Sequence, residues 1–120
     1  MQERTRAIRA LVQLEEAAVN LRQVLRGKDQ DIRRIRRQLE RGTPISDALV
    51  SGNVAQLRRE IDQALKRFEQ ARRGFRVASL ALGLSEGKTA SDLARLWGVS
   101  RQRAAQLAKD LDGRPFQGDL

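Results

Sequence analysis

Residues 89–111 read TASDLARLWGVSRQRAAQLAKDL, and this segment carries the clearest local structural signals of the chain. Thr89 and Asp92 have the spacing of a capping box, in which two residues satisfy free backbone N–H groups at the start of a helix. Gly98 is expected to end this helix, because the sharp turn needs a residue that tolerates positive φ, and Ser100 is a favoured N-cap for a second helix. The sequence therefore predicts two short helices joined by a tight turn. Their apolar contacts would come from Leu93, Ala94, Trp97, Val99, Ala104, Leu107, Ala108 and Leu111.

The same segment resembles the helix-turn-helix superfamily of bacterial transcription regulators. The resemblance rests on Ala94, where two helices would cross closely, on Gly98 four residues later, and on the apolar residues around them. The string GVSRQ at 98–102 is similar to the start of many recognition helices, as the second helix of this motif is called. The resemblance covers 89–111, or 77–111 if the end of the preceding helix begins a three-helix unit.

The resemblance implies binding of double-stranded DNA, with the second helix in the major groove. Arginine suits the edge of guanine and glutamine that of adenine, while a helix N-terminus favours a phosphate. Trp97 is expected to anchor the core and not to contact a ligand. The alternative is an ordinary pair of helices whose polar face is only solvated. The expected base contacts are Arg101, Gln102 and Gln106, and the expected phosphate contacts are Lys88, Thr89, Ser100 and Arg103, with Lys109 peripheral.

Two long helices with apolar residues at heptad spacing are predicted at 3–41 and 54–86. In the link between them, Thr43 is expected to cap a short helical turn that Pro44 begins, and Asn53 to cap the second long helix. Gly27 is a candidate position for a kink or break. Similar lengths and a short link favour an antiparallel hairpin. The predicted contact row is Arg4, Ala7, Leu11, Leu14, Ala18, Leu21, Leu25, Lys28, Ile32, Ile35 and Leu39 in the first helix, and Val54, Leu57, Ile61, Ala64, Phe68, Ala71, Phe75, Ala78 and Leu82 in the second.

Further apolar residues widen this row near the C-terminal segment. They are Ile8, Val12, Val19 and Val24 in the first helix, and Val77, Leu80, Ala81 and Leu84 in the second. An antiparallel hairpin would bring the two wide faces together. Because a wide apolar face needs more than one neighbour, we predict that the C-terminal module or a second subunit covers it. A homodimer or higher homo-oligomer is therefore expected.

The charge balance favours a polyanionic partner. The net charge is +9, from 24 Lys and Arg against 15 Asp and Glu. This favours nucleic acid first and an acidic membrane surface second, although biased codon usage is an alternative explanation. The basic run RRIRR at 33–37 would surround a helix, because Ile35 belongs to the contact row. We interpret the run as solvated surface, with secondary phosphate contact as the alternative.

No catalytic constellation is evident. The chain has no cysteine and no histidine, which excludes disulfides, thiolate or imidazole metal sites and histidine-dependent triads. The carboxylates of Glu15, Glu16, Asp29 and Asp31 are interpreted as exposed groups paired by nearby arginines. We expect no enzyme activity, metal, cofactor or small-molecule ligand. Without a signal peptide or a membrane-spanning segment, a cytoplasmic protein at the nucleoid with no membrane partner is expected.

These observations predict an all-α protein, with a long antiparallel helical hairpin at 1–76, a helix-turn-helix module at 77–113 and a loose tail at 114–120. The expected function is sequence-specific binding of double-stranded DNA by a dimer, as a small bacterial transcriptional regulator or nucleoid-associated factor. The alternatives are a coiled-coil adaptor whose DNA contact is secondary, and an accessory factor in recombination or partition.

Overall fold

The computed structural model describes residues 2–100, 102, 103, 105, 106 and 109. Within these residues the chain has four α-helices and no β-strand, which confirms the predicted all-α class. Helix α1 is Gln2–Glu40, α2 is Ile45–Ser51, α3 is Val54–Ser85 and α4 is Ala90–Trp97. Outside the described residues lie the tail at 114–120, the candidate base contact Arg101, and the apolar residues Ala104, Leu107, Ala108 and Leu111.

The chain is divided into two compact units. The first unit takes in the residues up to Glu15 and those from Glu69 onward, and the second unit is Glu16–Phe68. Both α1 and α3 therefore contribute to each unit, whereas α4 belongs to the first. The domain boundary expected after residue 76 stays a prediction.

In the second unit, polar and apolar contacts hold α1 to the elements that follow it. Lys28 forms an ion pair with Glu60 of α3. The Gln38 amide donates to the Ser51 hydroxyl at 2.7 Å, and that hydroxyl donates back to the Gln38 amide oxygen at 3.0 Å. The α2–α3 link approaches α1 closely at residue 52, where an added Cβ would overlap the side chain at residue 35. Later residues of α1 thus contact earlier residues of the following chain: Lys28 contacts Glu60, and Gln38 contacts Ser51.

Two local predictions for this unit are wrong, and the cap expected at Asn53 stays a prediction. Helix α1 continues through Gly27, so the break considered there is absent from the described chain. Pro44, and not Thr43, is the N-cap residue of α2, and no side chain caps that helix. Asn53 precedes α3 with a φ of 50°. This left-handed conformation differs from the extended one that an N-cap residue usually has, and asparagine tolerates it better than most residues.

In the first unit, the start of α1 packs against the end of α3 through small side chains. The buried cluster consists of Ala7, Ala10 and Ala78, with Phe75 and Leu82 packed against it. Beside this cluster, Arg4 forms an ion pair with Glu86 at 2.5 Å. Alanine has no side chain beyond Cβ, so the cluster brings the two helix backbones close together.

The contact row of α3 is confirmed, and that of α1 is confirmed in part. Every predicted contact residue of α3 is buried or half-buried. On α1 the predicted residues Ala7, Leu14, Leu21, Lys28 and Ile35 are buried or half-buried, whereas Leu11, Leu25, Ile32 and Leu39 are 40–49% exposed. The second buried or half-buried row, three residues after the first, was not predicted: Ala10, Ala17, Val24, Asp31 and Gln38. The heptad period of α1 is therefore correct, and the buried face is turned towards this second row.

The two wide apolar faces near the C-terminal segment differ in burial. On α3, Val77 and Leu80 are each 3% exposed. On α1, Ile8 and Val12 are 57% and 46% exposed. The α1 side stays largely open to solvent within one chain, so its cover by a second subunit stays a prediction.

Candidate nucleic-acid interface

Helix α4 begins at the capping box that the sequence predicted. The Asp92 backbone N–H donates to the Thr89 hydroxyl at 3.1 Å, and the Thr89 backbone N–H donates to the Asp92 carboxylate at 3.1 Å. Arg95 forms an ion pair with the same carboxylate at 2.9 Å. These interactions favour the charged form, so hydrogen bonding to Thr89, and then to Arg95, lowers the pKa of Asp92. The start of α4 is fixed by these bonds.

The turn after α4 has the conformation predicted for Gly98. Its φ and ψ are 67° and 24°, in the left-handed region. The Val99 N–H donates to the Ala94 carbonyl at 3.0 Å, and the Gly98 N–H donates to the Arg95 carbonyl at 3.2 Å. This pair of bonds is the Schellman motif, which closes a helix and usually requires glycine at the left-handed position. The chain therefore leaves α4 in a defined direction.

Helix α4 packs on the end of α3 through a close contact that the sequence analysis missed. Leu93 and Ala94 are 7% and 3% exposed. A Cβ added at Gly83 of α3 would lie 2.5 Å from Cδ2 and 2.9 Å from Cδ1 of Leu93. The available signal was the glycine itself, because a glycine inside a helical pattern often marks a packing requirement.

Trp97 anchors α4 to α3, as predicted. Its ring lies 5.6 Å from that of Phe75, edge to face at 61°. Its indole N–H donates to the Ser79 hydroxyl at 2.9 Å. Both the apolar body and the polar edge of the side chain are thus used within the first unit, which supports a structural role and not a ligand contact.

The residues after the turn present polar side chains on helical surface. The Ser100 hydroxyl accepts a hydrogen bond from the Arg103 backbone N–H at 3.1 Å, which is the predicted N-cap contact. Four candidate DNA contacts beyond this cap are helical and exposed: Gln102, Arg103, Gln106 and Lys109. They lie on the outside of the protein.

The two candidate phosphate contacts before α4 are exposed as well. The Thr89 hydroxyl accepts a bond within the capping box, and its own hydrogen remains free to donate to a phosphate. Lys88 has no carboxylate partner within residues 2–100. Its backbone N–H donates to the Gly83 carbonyl at 3.0 Å, which ties the end of α3 to the start of the α4 segment.

A cluster of arginines on α3 adds positive charge that the sequence analysis did not assign to DNA. Burial lowers the pKa of Arg76, and repulsion from Arg72, Arg103 and Arg73 lowers it further. Arginine stays protonated at neutral pH, so this shift reports how near the like charges lie to one another. Helical spacing groups the α3 arginines, but no sequence pattern indicated that Arg103 would approach them.

The basic run at 33–37 lies on the exposed side of α1, around the half-buried Ile35. Arg34 pairs with Asp31 at 3.6 Å, and Arg36 pairs with Glu40 at 3.8 Å. These pairs neutralise part of the run and support its interpretation as solvated helix surface.

The acidic residues form no metal-binding cluster in the described part of the chain. Glu15, Glu16 and Asp29 have no ion-pair partner within residues 2–100, so the expectation that arginines pair them is wrong for these three. No group of acidic side chains in that part could hold a metal ion. No helix found there is long and apolar enough to span a membrane.

Comparisons with known proteins return no match. No protein-family model matches the chain, and no curated protein or solved structure is significantly similar to it. The resemblance to helix-turn-helix proteins therefore rests on the residues and the local geometry described above.

Proposed function

We propose that this chain binds double-stranded DNA, with the residues after Ser100 serving as the recognition helix of a helix-turn-helix. The observation that best supports this is the order of three helix-capping features in residues 89–103. A capping box starts α4, the left-handed Gly98 ends it, and Ser100 caps the helical residues that follow. This succession supports a second helix after Ser100, whose exposed residues Gln102 and Arg103 would meet the major groove.

The chemistry of the exposed residues fits duplex DNA. Gln102 and Gln106 have the side chain that pairs with adenine in the major groove, and Arg101 the one that pairs with guanine. Arg103 lies near the α3 arginines and beside the Ser100 cap, where a phosphate would meet both positive charge and a helix N-terminus. Lys88, Thr89 and Lys109 would add contacts around this centre, the last of them peripheral.

In the proposal, α1 and α3 form an antiparallel hairpin that supports this module in a homodimer. The support within the second unit is the falling series of partners of α1, and within the first unit it is the cluster of Ala10 with Ala78. A dimer would offer two recognition helices to half-sites about one helical turn, or a multiple of it, apart. The protein would act at the bacterial nucleoid as a small transcriptional regulator or nucleoid-associated factor.

The second candidate function is that of a coiled-coil adaptor with secondary DNA contact, including an accessory factor in recombination or partition. It is favoured by the apolar side chains that α1 exposes, among them Leu25 and Ile32 at 41% and 49%. An adaptor would use this face for another protein, and duplex DNA would contribute little to its affinity.

The salt dependence of binding distinguishes the two candidates. Fluorescence anisotropy on labelled duplexes, between about 50 and 200 mM salt, gives the slope of log affinity against log salt, which falls by about 0.9 for each phosphate neutralised. DNA binding through the proposed residues predicts a slope steeper than about −3, corresponding to three or more phosphates. An adaptor predicts a flat slope or no binding, which would reject the DNA-binding proposal.

A further inference from the structure

Helix α1 exposes a continuous apolar row because its intramolecular contacts use a different face. The row lies at one heptad position, with Ala18, Leu25, Ile32 and Leu39 in the second unit. The three large members are 41%, 49% and 44% exposed. A period of seven residues is the spacing that lets a helix contact a second helix along one line. Exposed apolar residues repeated in this way are characteristic of an interface.

The row is flanked by charges that alternate in sign. Four residues after each apolar position, on the side away from the buried face, come Arg22, Asp29 and Arg36. All three are exposed. Arg22 and Asp29 have no ion-pair partner in the described chain, although several other arginines of α1 and α3 are paired. Arg22 and Asp29 are therefore available to a partner, whereas Arg36 pairs with Glu40.

This pattern is complementary to itself when two copies run antiparallel. Consider two antiparallel copies of α1 centred on Leu25, so that Leu25 meets Leu25 of the second copy and Ala18 meets the larger Ile32. In this arrangement Arg22 of each copy lies beside Asp29 of the other, which gives two opposite-charge contacts. In a parallel pair the two flanking rows would lie on opposite sides of the interface, so these charges would not meet.

We infer that Ala18, Leu25 and Ile32 of this row, with Arg22 and Asp29 beside them, bind the same residues of a second copy of this chain in the antiparallel direction. The inference deepens the dimer of the proposed function, because it names its interface and orientation. It does not need DNA, so its test is carried out without DNA and its failure is distinct from a failure of DNA binding.

A charge-reversal series measured by sedimentation velocity tests the interface on the full chain. Arg22→Asp and Asp29→Arg each replace two attractive contacts by two repulsive ones, so each raises the dimer dissociation constant by at least about ten-fold. The double variant restores opposite charges across the antiparallel interface and returns the constant to within about three-fold of wild type. Arg9→Asp changes the charge equally on another exposed face of α1 and serves as the control. Circular dichroism of every variant checks that the helices are retained.

The apolar row is tested in the same experiment. Leu25→Lys gives a monomer, whereas Leu65→Lys, at the similarly exposed 44% position on α3, stays a dimer. The chain has no cysteine, so a mixture of Ala18→Cys and Ile32→Cys chains gives a disulfide between the two variants, and Ala18→Cys alone gives none. A wild-type chain that is monomeric at tens of micromolar overturns the inference. So does a dimer that tolerates Arg22→Asp, or one in which Ala18→Cys cross-links only with itself.

Discussion

The Trp97 indole N–H donates to the Ser79 hydroxyl at 2.9 Å, and that hydroxyl in turn donates to the Arg76 carbonyl at 2.9 Å. The bond joins the last residue of α4 to α3 at a half-buried position. It orients α4 just before the Gly98 turn, and hence sets the direction in which the candidate recognition residues begin. The stability of this contact can be measured separately from any DNA binding.

A double-mutant cycle between Trp97 and Ser79 should give a favourable coupling free energy of about 0.5–1.5 kcal/mol, the value of a typical intramolecular hydrogen bond. Trp97→Phe removes the donor and keeps an aromatic ring beside Phe75, while Ser79→Ala removes the acceptor. Urea unfolding followed by circular dichroism gives the four free energies. A coupling near zero would mean that the hydrogen bond contributes nothing to the docking of α4.

Alanine at two helical glycines should change stability in opposite directions. At Gly83 the new Cβ would overlap Leu93, and the overpacking cost of about 1–3 kcal/mol outweighs the better helix propensity of alanine. At Gly27 nothing lies within 4 Å of the new Cβ, so Gly27→Ala should stabilise the protein by about 0.5–1 kcal/mol. Thermal or urea melts of both variants provide the measurement. Equal stabilisation by the two substitutions would contradict the close contact between α3 and α4.

Local features of the α4 segment could be predicted from the sequence because each depends on a few neighbouring residues. Thr89 and Asp92 need only their spacing to form a capping box, and Gly98 needs only its own backbone freedom. The exposure of Gln102 and Arg103 follows from the helix period once Ser100 is taken as the cap. These predictions required no knowledge of distant parts of the chain.

The face of α1 could not be predicted in the same way, because two overlapping apolar rows have the same period. The predicted contact row joined Leu11, Leu25 and Ile32 with the row that contains Ala7. The structure buries Ala7 together with the alanines at 10 and 17, since small residues let α1 approach its neighbours closely. Which row a helix buries depends on the surface of its partner, and a single helix sequence does not contain that information.

The carboxylate of Asp92 should make stability depend on pH. Its pKa is lowered in the folded protein, so its contribution is present above the ordinary value of 3.8 and is lost as the pH falls through the lower folded value. The pKa of Glu60 is lowered as well, so the pH dependence of wild-type stability alone cannot be assigned to Asp92. The stability difference between wild type and Asp92→Asn should therefore shrink as the pH is lowered from 6 towards 2, at about the pH range where aspartate titrates. A difference that stays constant would show that the capping box does not hold the charged carboxylate.

Cysteines introduced by Ala10→Cys and Ala78→Cys should form a disulfide within one chain. The two alanines share a buried cluster between α1 and α3, so the Cβ atoms are suited to a cross-link, and the chain contains no other cysteine. Oxidation at low protein concentration followed by non-reducing electrophoresis gives the result. A disulfide between the two introduced cysteines in a monomer band supports the proposed antiparallel hairpin, and cross-linking only between chains would contradict it. The control combines Ala10→Cys with Leu65→Cys, at an exposed position of the other unit, and should not react.

Substitutions at Gln102 and Arg103 should affect DNA binding in different ways. Gln102→Ala removes a candidate base contact, so it should weaken binding to the preferred duplex by about 1–3 kcal/mol and relax the preference at one base pair. Arg103→Ala removes a candidate phosphate contact beside the Arg76 cluster. It should weaken preferred and scrambled duplexes alike and reduce the salt slope by about one unit. Arg58→Ala, at an exposed position of α3 in the second unit, removes the same charge and is the control.

All three side chains are exposed, so the melting temperatures of the three variants should differ little from that of wild type. If Gln102→Ala and Arg103→Ala both bind like Arg58→Ala, the residues after Ser100 are not the recognition helix.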